Sequence, residues 1–138
     1  MKPTALLTTI PSDSHNWNLI YMQLLLQENG FEVINLGACT TYEEVAQACC
    51  NIFPEIVVVS TVNGHGYLEG KTLIEKIRAI PEMKDIPVYI GGKLSTDKNM
   101  SYRYSVELEN AGYSSVYPET RKIADFISEL KKQNKKAA

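Results

Sequence analysis

The run Ile56-Val57-Val58-Val59, closed by Ser60, is apolar at every residue rather than at every second one. A strand with one wet face alternates, so a strand without alternation is covered on both faces, as in the middle of a parallel sheet. Around it, short β-type runs alternate with amphipathic segments. Strands are expected at Ala5–Ile10, Phe31–Leu36, Ile56–Ser60, Val88–Ile90 and Ser115–Val116. Leu19, Met22, Leu25 and Leu26 recur at three- and four-residue steps and predict a first helix, stopped at Gly30. Thr41-Tyr42-Glu43-Glu44 reads as a capping box opening a second helix. Leu73, Ile74 and Ile77 mark a third, ending near Pro81, and Tyr102 to Ala111 a fourth, stopped by Gly112. Ile123, Phe126, Ile127 and Leu130 make a fifth.

Five βα units in succession imply an α/β fold: a doubly wound parallel sheet with helices on both faces and right-handed crossovers. Five strands at this length fit the flavodoxin-like (Rossmann-like) order 2-1-3-4-5, in which ligands bind beyond the carboxyl ends of the strands, at the switch point between the first and third. The unusual residue clusters all fall on that edge. Asp13 and His15 follow the first strand, and Ser60-Thr61-Val62-Asn63-Gly64 closes the third. Gly91-Gly92-Lys93 follows the fourth, and Tyr117-Pro118-Glu119-Thr120 the fifth.

The 138 residues suffice for one domain with a single core, expected over about 4–130, with 131–138 as a basic, frayed and solvated helix end. A net charge of −2 without a basic stripe argues against a nucleic-acid partner. No stretch approaches the roughly 20 apolar residues of a membrane span, and the N-terminus lacks a signal-peptide layout. Cys39, Cys49 and Cys50 are odd in number and two are adjacent, which suits a reducing cytoplasm better than disulfides or a zinc site. They read as core or half-buried filler.

In Asp13-Ser14-His15 a carboxylate stands two residues before an imidazole. Such a pair can orient a metal ligand: the Asp takes one ring N–H, and the other ring nitrogen stays free for a cation. Taken alone, a loop His is equally a satisfied surface residue, and Asp13 equally a helix N-cap. The company at the switch point favours the ligand reading. One His cannot form a tight site for a bare zinc or iron ion, but a metal already held by a macrocycle needs only one axial protein ligand. Gly91-Gly92 is either a plain turn or a place where a flat cofactor lies against backbone. Ser60 either ends a strand or bonds a buried polar group of the ligand. His65 lacks the carboxylate at two-residue spacing and reads as a surface residue, Tyr102 and Tyr104 as surface-helix residues. Trp17 is either core packing or a wall of the site.

Asp13-Ser14-His15-Asn16-Trp17-Asn18 resembles the Asp-x-His-x-x-Gly motif of cobalamin-binding domains. From about Ala5 to Leu130 the chain resembles the small, S-type subunits of glutamate mutases (methylaspartate mutases). The shared stretches include Ser12-Asp13-Ser14-His15, Gly30 to Gly37, Val59-Ser60-Thr61-Val62, Gly64-x-Gly66, Gly91-Gly92, Gly112-Tyr113 and Val116-Tyr117-Pro118. The resemblance implies that His15 replaces the cofactor's own dimethylbenzimidazole as lower ligand of cobalt, with Asp13 as its hydrogen-bond partner and Ser12, Ser14, Asn16 and Asn18 around them. It implies that the released nucleotide tail enters a slot lined by Ser60, Thr61 and Val62. Gly91, Gly92, Lys93, Leu94, Ser95 and Pro118 would flank that tail. Two positions depart from the family pattern: its motif Gly is Asn18 here, and its Pro-Gly-Thr is Pro118-Glu119-Thr120.

The resemblance further implies adenosylcobalamin as the cofactor, a carbon-skeleton rearrangement as the reaction, and no catalytic residue on this chain. Only Arg78, Arg103 and Arg121 occur, with no cluster for a dicarboxylate substrate, so a separate barrel-type catalytic subunit is expected on the edge that carries His15. Rival readings are a methyl-carrying corrinoid protein or cobalamin sensor, and a family member that has lost its cofactor and acts as a scaffold. A flavin mononucleotide binder would have to use Thr8, Thr9, Ser12 and Ser14 in a loop without glycine. A receiver domain needs a phosphorylatable Asp at the end of the third strand, where this chain has Ser60.

Overall fold

The computed structural model describes residues 2–137; Met1 and Ala138, which the expected domain and tail include, lie outside the described residues. Among the described residues the order is β1 (Thr4–Thr8), α1 (Trp17–Glu28), β2 (Glu32–Asn35), α2 (Tyr42–Ile52), β3 (Ile56–Thr61), α3 (Gly66–Arg78), β4 (Val88–Gly92), α4 (Ser101–Ala111), β5 (Ser115–Pro118) and α5 (Ile123–Ala137). Short 3-10 turns precede β4 and α4. The sheet is wholly parallel with strand order β2-β1-β3-β4-β5, the flavodoxin-like arrangement expected.

Local signals explain most boundaries. Thr41 and Glu44 form the reciprocal capping box of α2. Gly30, at φ +90°, follows the last turn of α1, and its N–H closes on Gln27 O. β1 and β2 are shorter than their apolar runs, while β3, β4 and β5 are longer. β4 continues through both glycines because Gly91 and Gly92 pair with Ser60 and Thr61 of β3. At the C-terminus the basic stretch expected to fray is helical to Ala137, and the Asn134 amide donates to the carbonyls of Asn29 and Gly30.

The core has two halves, one on each face of the sheet. Under α2, α3 and α4 lie Val57, Val59, Val88 and Ile90 from the strands, packed against Val45, Cys49, Ile74, Ile77 and Leu108. Under α1 and α5 lie Ile56, Val58 and Tyr89, packed against Leu19, Leu26, Phe126 and Leu130. Cys49 is core, and burial pushes its thiol up to about 11, so it is an inert apolar filler. Cys39 and Cys50 are exposed, which corrects their reading as filler. Trp17 is no core residue either: it is 83 % exposed, because the first residue of α1 projects past the sheet edge.

Candidate functional site

The site is built on a buried carboxylate. Asp13 Oδ1 accepts the backbone N–H of His15 at 3.1 Å and its ring Nδ1–H at 2.7 Å. Oδ2 accepts the backbone N–H groups of Val62 at 2.8 Å and Asn63 at 3.2 Å. Burial by itself pushes this carboxyl up. The Val62 N–H, the His15 ring and the backbone N–H groups of His15 and Asn63 more than reverse that and hold it below its ordinary value. An ionised carboxylate only accepts, so the shared proton sits on Nδ1, and Nε2 is the His15 ring nitrogen left outside the pair. Asp13 is therefore not a helix cap; Asn16 occupies that position, and its side chain makes no capping bond.

The His15 side chain is 58 % exposed, at the carboxyl edge of the sheet. Its loop is braced from both sides. The β3–α3 loop holds the Asp13 carboxylate, and from the β2–α2 loop the Cys39 N–H donates to the Asp13 carbonyl at 2.8 Å. Cys39 makes that bond in the left-handed region, at φ +53°. Among the described residues no three His, Cys, Asp or Glu side chains come together to hold a metal ion. A lone imidazole with a free nitrogen suits a metal that brings its other ligands with it.

Beside this loop a slot of about 240 Å³ opens between α1 and α5, above the carboxyl ends of β3, β4 and β5. Tyr89, Tyr117 and Phe126 meet edge to face there, at ring separations of 5.0–6.2 Å. Ser60 is nearly buried in its wall. The Asn18 amide donates to the Ser60 hydroxyl at 3.1 Å and to its carbonyl at 3.3 Å, which leaves Asn18 Oδ1 buried without a partner. Gly91 opens the wall, and a Cβ there would press on the Tyr117 carbonyl at 2.8 Å. Gly92 answers first to the backbone: its φ is +99°, and a Cβ would come within 1.9 Å of the Thr61 carbonyl. Glu119 stands at the rim together with Arg121 and Lys122.

Of the residues singled out by sequence, Asn18, Ser60, Thr61, Val62, Gly91, Gly92 and Pro118 line this slot. Ser12, Asp13, Ser14, His15 and Asn16 form the loop beside it. Lys93, Leu94 and Ser95 do not line it, because the chain turns toward α3 after Gly92: the Lys93 N–H bonds Thr61 O, and Leu94 is core. Ser95 instead accepts the Asp97 N–H. His65 is exposed, as is Tyr102, while Tyr104 stacks on Tyr67 at 3.9 Å. Sequence reasoning missed the walls contributed by Tyr21, Met22, Tyr89, Tyr117 and Phe126. A usable signal was present in α1, which is apolar on its outer side too, at Trp17, Ile20, Tyr21 and Leu24.

An oriented imidazole with a free nitrogen, next to a slot with a buried hydroxyl, is a donor set that fits a corrinoid with its nucleotide tail. Residues 3–109 match the B12 binding domain. The chain belongs to the B12-binding domain family. Relatives of this B12-binding domain include the glutamate mutase sigma subunit of Fusobacterium nucleatum, 27 % identical over 97 % of this chain and 98 % of that protein. The glutamate mutase sigma subunit of Halobacterium salinarum is 30 % identical over 83 % of this chain and 76 % of that protein. Among solved structures, a cobalamin-binding protein from Desulfitobacterium hafniense superposes with a TM-score of 0.74 at 20 % identity, over 96 % of this chain and 59 % of that one. A response regulator from Chloroflexus aurantiacus superposes with a TM-score of 0.71 at 18 % identity, over 96 % of this chain and 98 % of that one. These two likenesses concern the fold, which the two kinds of protein share.

Proposed function

We propose that this chain is the cobalamin-binding component of an adenosylcobalamin-dependent carbon-skeleton mutase of the glutamate mutase kind, an intramolecular transferase completed by a separate barrel-type catalytic subunit. The observation that carries the reading is the state of His15: Nδ1 is tied to a buried, ionised Asp13, and Nε2 is free at the edge where the slot opens. His15 would hold the cobalt through Nε2, and Asp13 would fix the ring's tautomer and orientation. Asn18, Ser60, Thr61, Val62, Gly91, Gly92 and Pro118 would receive the nucleotide tail, with Glu119, Arg121 and Lys122 at the rim. The coenzyme, when bound, would supply radical chemistry; the protein would supply its position through His15 and the slot.

Likeness to sigma subunits over nearly the full length of the Fusobacterium protein supports the two-component assignment. So do three exposed side chains in the first turns of helices on this edge: Trp17 on α1, Leu68 on α3 and Tyr102 on α4. They rim the surface on which the catalytic subunit docks. The cysteines, unpaired among the described residues, accord with a cytoplasmic setting.

The test is to mix the chain with hydroxocobalamin, desalt it and record the absorption spectrum, then repeat with His15→Ala. The expected result is a coloured complex with a shifted spectrum that His15→Ala abolishes. Retained corrinoid whose spectrum ignores the substitution would remove His15 from the axial role. Turnover of a substrate by the purified chain alone would end the two-component reading.

A further inference from the structure

The loop that carries His15 is fastened at a second place, separate from the Asp13 cluster. Glu69 lies in the first turn of α3. Its Oε1 accepts the backbone N–H of Ser12 at 2.9 Å, and its Oε2 accepts the Ser12 hydroxyl. The Ser12 oxygen in turn accepts the Asn63 amide N–H at 2.9 Å, while Asn63 Oδ1 accepts the His65 backbone N–H at 3.0 Å. The direction of this chain follows from its acceptor. A carboxylate only accepts, so the Ser12 hydroxyl proton goes to Glu69 and the Ser12 oxygen accepts from Asn63. A carboxylate accepts both Ser12 donors, whereas a carboxamide in its place accepts only one of them.

Ser12 immediately precedes Asp13, so whatever fixes Ser12 fixes where the Asp13 backbone enters its pocket. From that entry the Asp13 carboxylate reaches His15 Nδ1 and the Val62 and Asn63 N–H groups. Both fasteners run from the β1–α1 loop to the β3–α3 region, Asp13 through buried backbone and Glu69 through the surface. We propose that Glu69 is a positioning residue for the His15 ligand: by holding both donors of Ser12 it locks the Asp13 carboxylate, and through it the imidazole, in the Nδ1-protonated orientation. This rests on the reading of His15 as axial ligand. No motif pointed to Glu69, which sits on another helix.

Two readouts test it, one of them without cofactor. In the ¹⁵N-labelled apoprotein, the ring nitrogen shifts of His15 report the tautomer. The wild type shows the Nδ1–H form, Glu69→Ala a mixture of both tautomers, and Glu69→Gln a partial recovery. In parallel, hydroxocobalamin binds Glu69→Ala about tenfold more weakly, the lower end of what outer partners of a metal ligand contribute, and with a smaller His15-dependent spectral change. Ser12→Ala, which removes the hydroxyl and keeps the backbone donor, moves both readouts the same way by less. Should Glu69→Ala fail to fold, Glu69→Gln and Ser12→Ala decide the matter. An unchanged tautomer and unchanged affinity in the folded variants overturn the proposal. Failure of the wild type to bind hydroxocobalamin would instead strike the axial-ligand reading, and the tautomer would still judge Glu69.

Discussion

The two faces of the sheet are made from the same three central strands and end differently. Toward α2, α3 and α4, β3 presents Val57, Val59 and Thr61, and β4 presents Val88 and Ile90, so the face stays filled up to its carboxyl edge. Toward α1 and α5, β3 presents Ile56, Val58 and Ser60, and β4 presents Tyr89 and then Gly91. On this face Ser60 and Gly91 give up space toward the edge, and that space is the slot; on the other face β4 also ends in a glycine, Gly92, but Leu94 follows it as part of the core. A closed face spends its apolar residues on stability, whereas the open face leaves part of its area for a ligand. The practical lesson is that substitutions on the two faces should separate folding from binding.

The largest effect belongs to the closed face. Ile74→Ala, at a fully buried position, should lower unfolding stability by about 2–5 kcal/mol in a denaturant titration. The corrinoid spectrum of the fraction that stays folded should not change; a changed spectrum would mean that the faces are coupled. Gly92→Ala comes next, at the border between them. A Cβ clashing with the Thr61 carbonyl at a positive φ should cost about 1–3 kcal/mol, and it should also weaken corrinoid binding, since Thr61 and Gly92 both line the slot.

Acid should act on the open face first. The Asp13 carboxyl lies below its ordinary value when folded, so its contribution is present above the unfolded value near 3.8 and is lost as pH falls through the folded one. Between neutral pH and about pH 4 the Asp13–His15 hydrogen bond, followed by the Asp13 carboxyl resonance in NMR, should persist. Earlier loss would show that the Val62 and Asn63 N–H groups do not hold the carboxylate. The smallest effect is expected for Ser60→Ala, which removes the acceptor of the Asn18 amide. Stability should fall by about 1 kcal/mol, with a measurable rise in the dissociation constant for hydroxocobalamin. Equal affinity would take Ser60 out of the tail slot.

Much of this was legible in the chain. The unalternating β3 run, the capping box at Thr41 and the glycine after α1 are local signals, and they produced the right elements in the right order. The Asp13–His15 spacing was readable too, because two residues inside one loop can be paired without knowledge of the fold. Boundaries were less legible: nothing local says that β4 continues through Gly91 and Gly92, since their pairing partners lie on β3. The exposure of Trp17 and Cys39 was likewise hidden, as it depends on where α1 and the β2–α2 loop end relative to the sheet.

The amino-acid order alone determined the parallel sheet, the edge on which chemistry-bearing residues collect, and the carboxylate–imidazole pair, because each follows from periodicity or from neighbours in one loop. Tertiary structure decided the rest. Asp13 stays ionised while buried only because the Val62 and Asn63 N–H groups arrive from another loop, and Glu69 reaches Ser12 from another helix. The slot exists because side chains distant in sequence become small at one height on one face. Those are facts about contacts across the chain, and no window of neighbouring residues contains them.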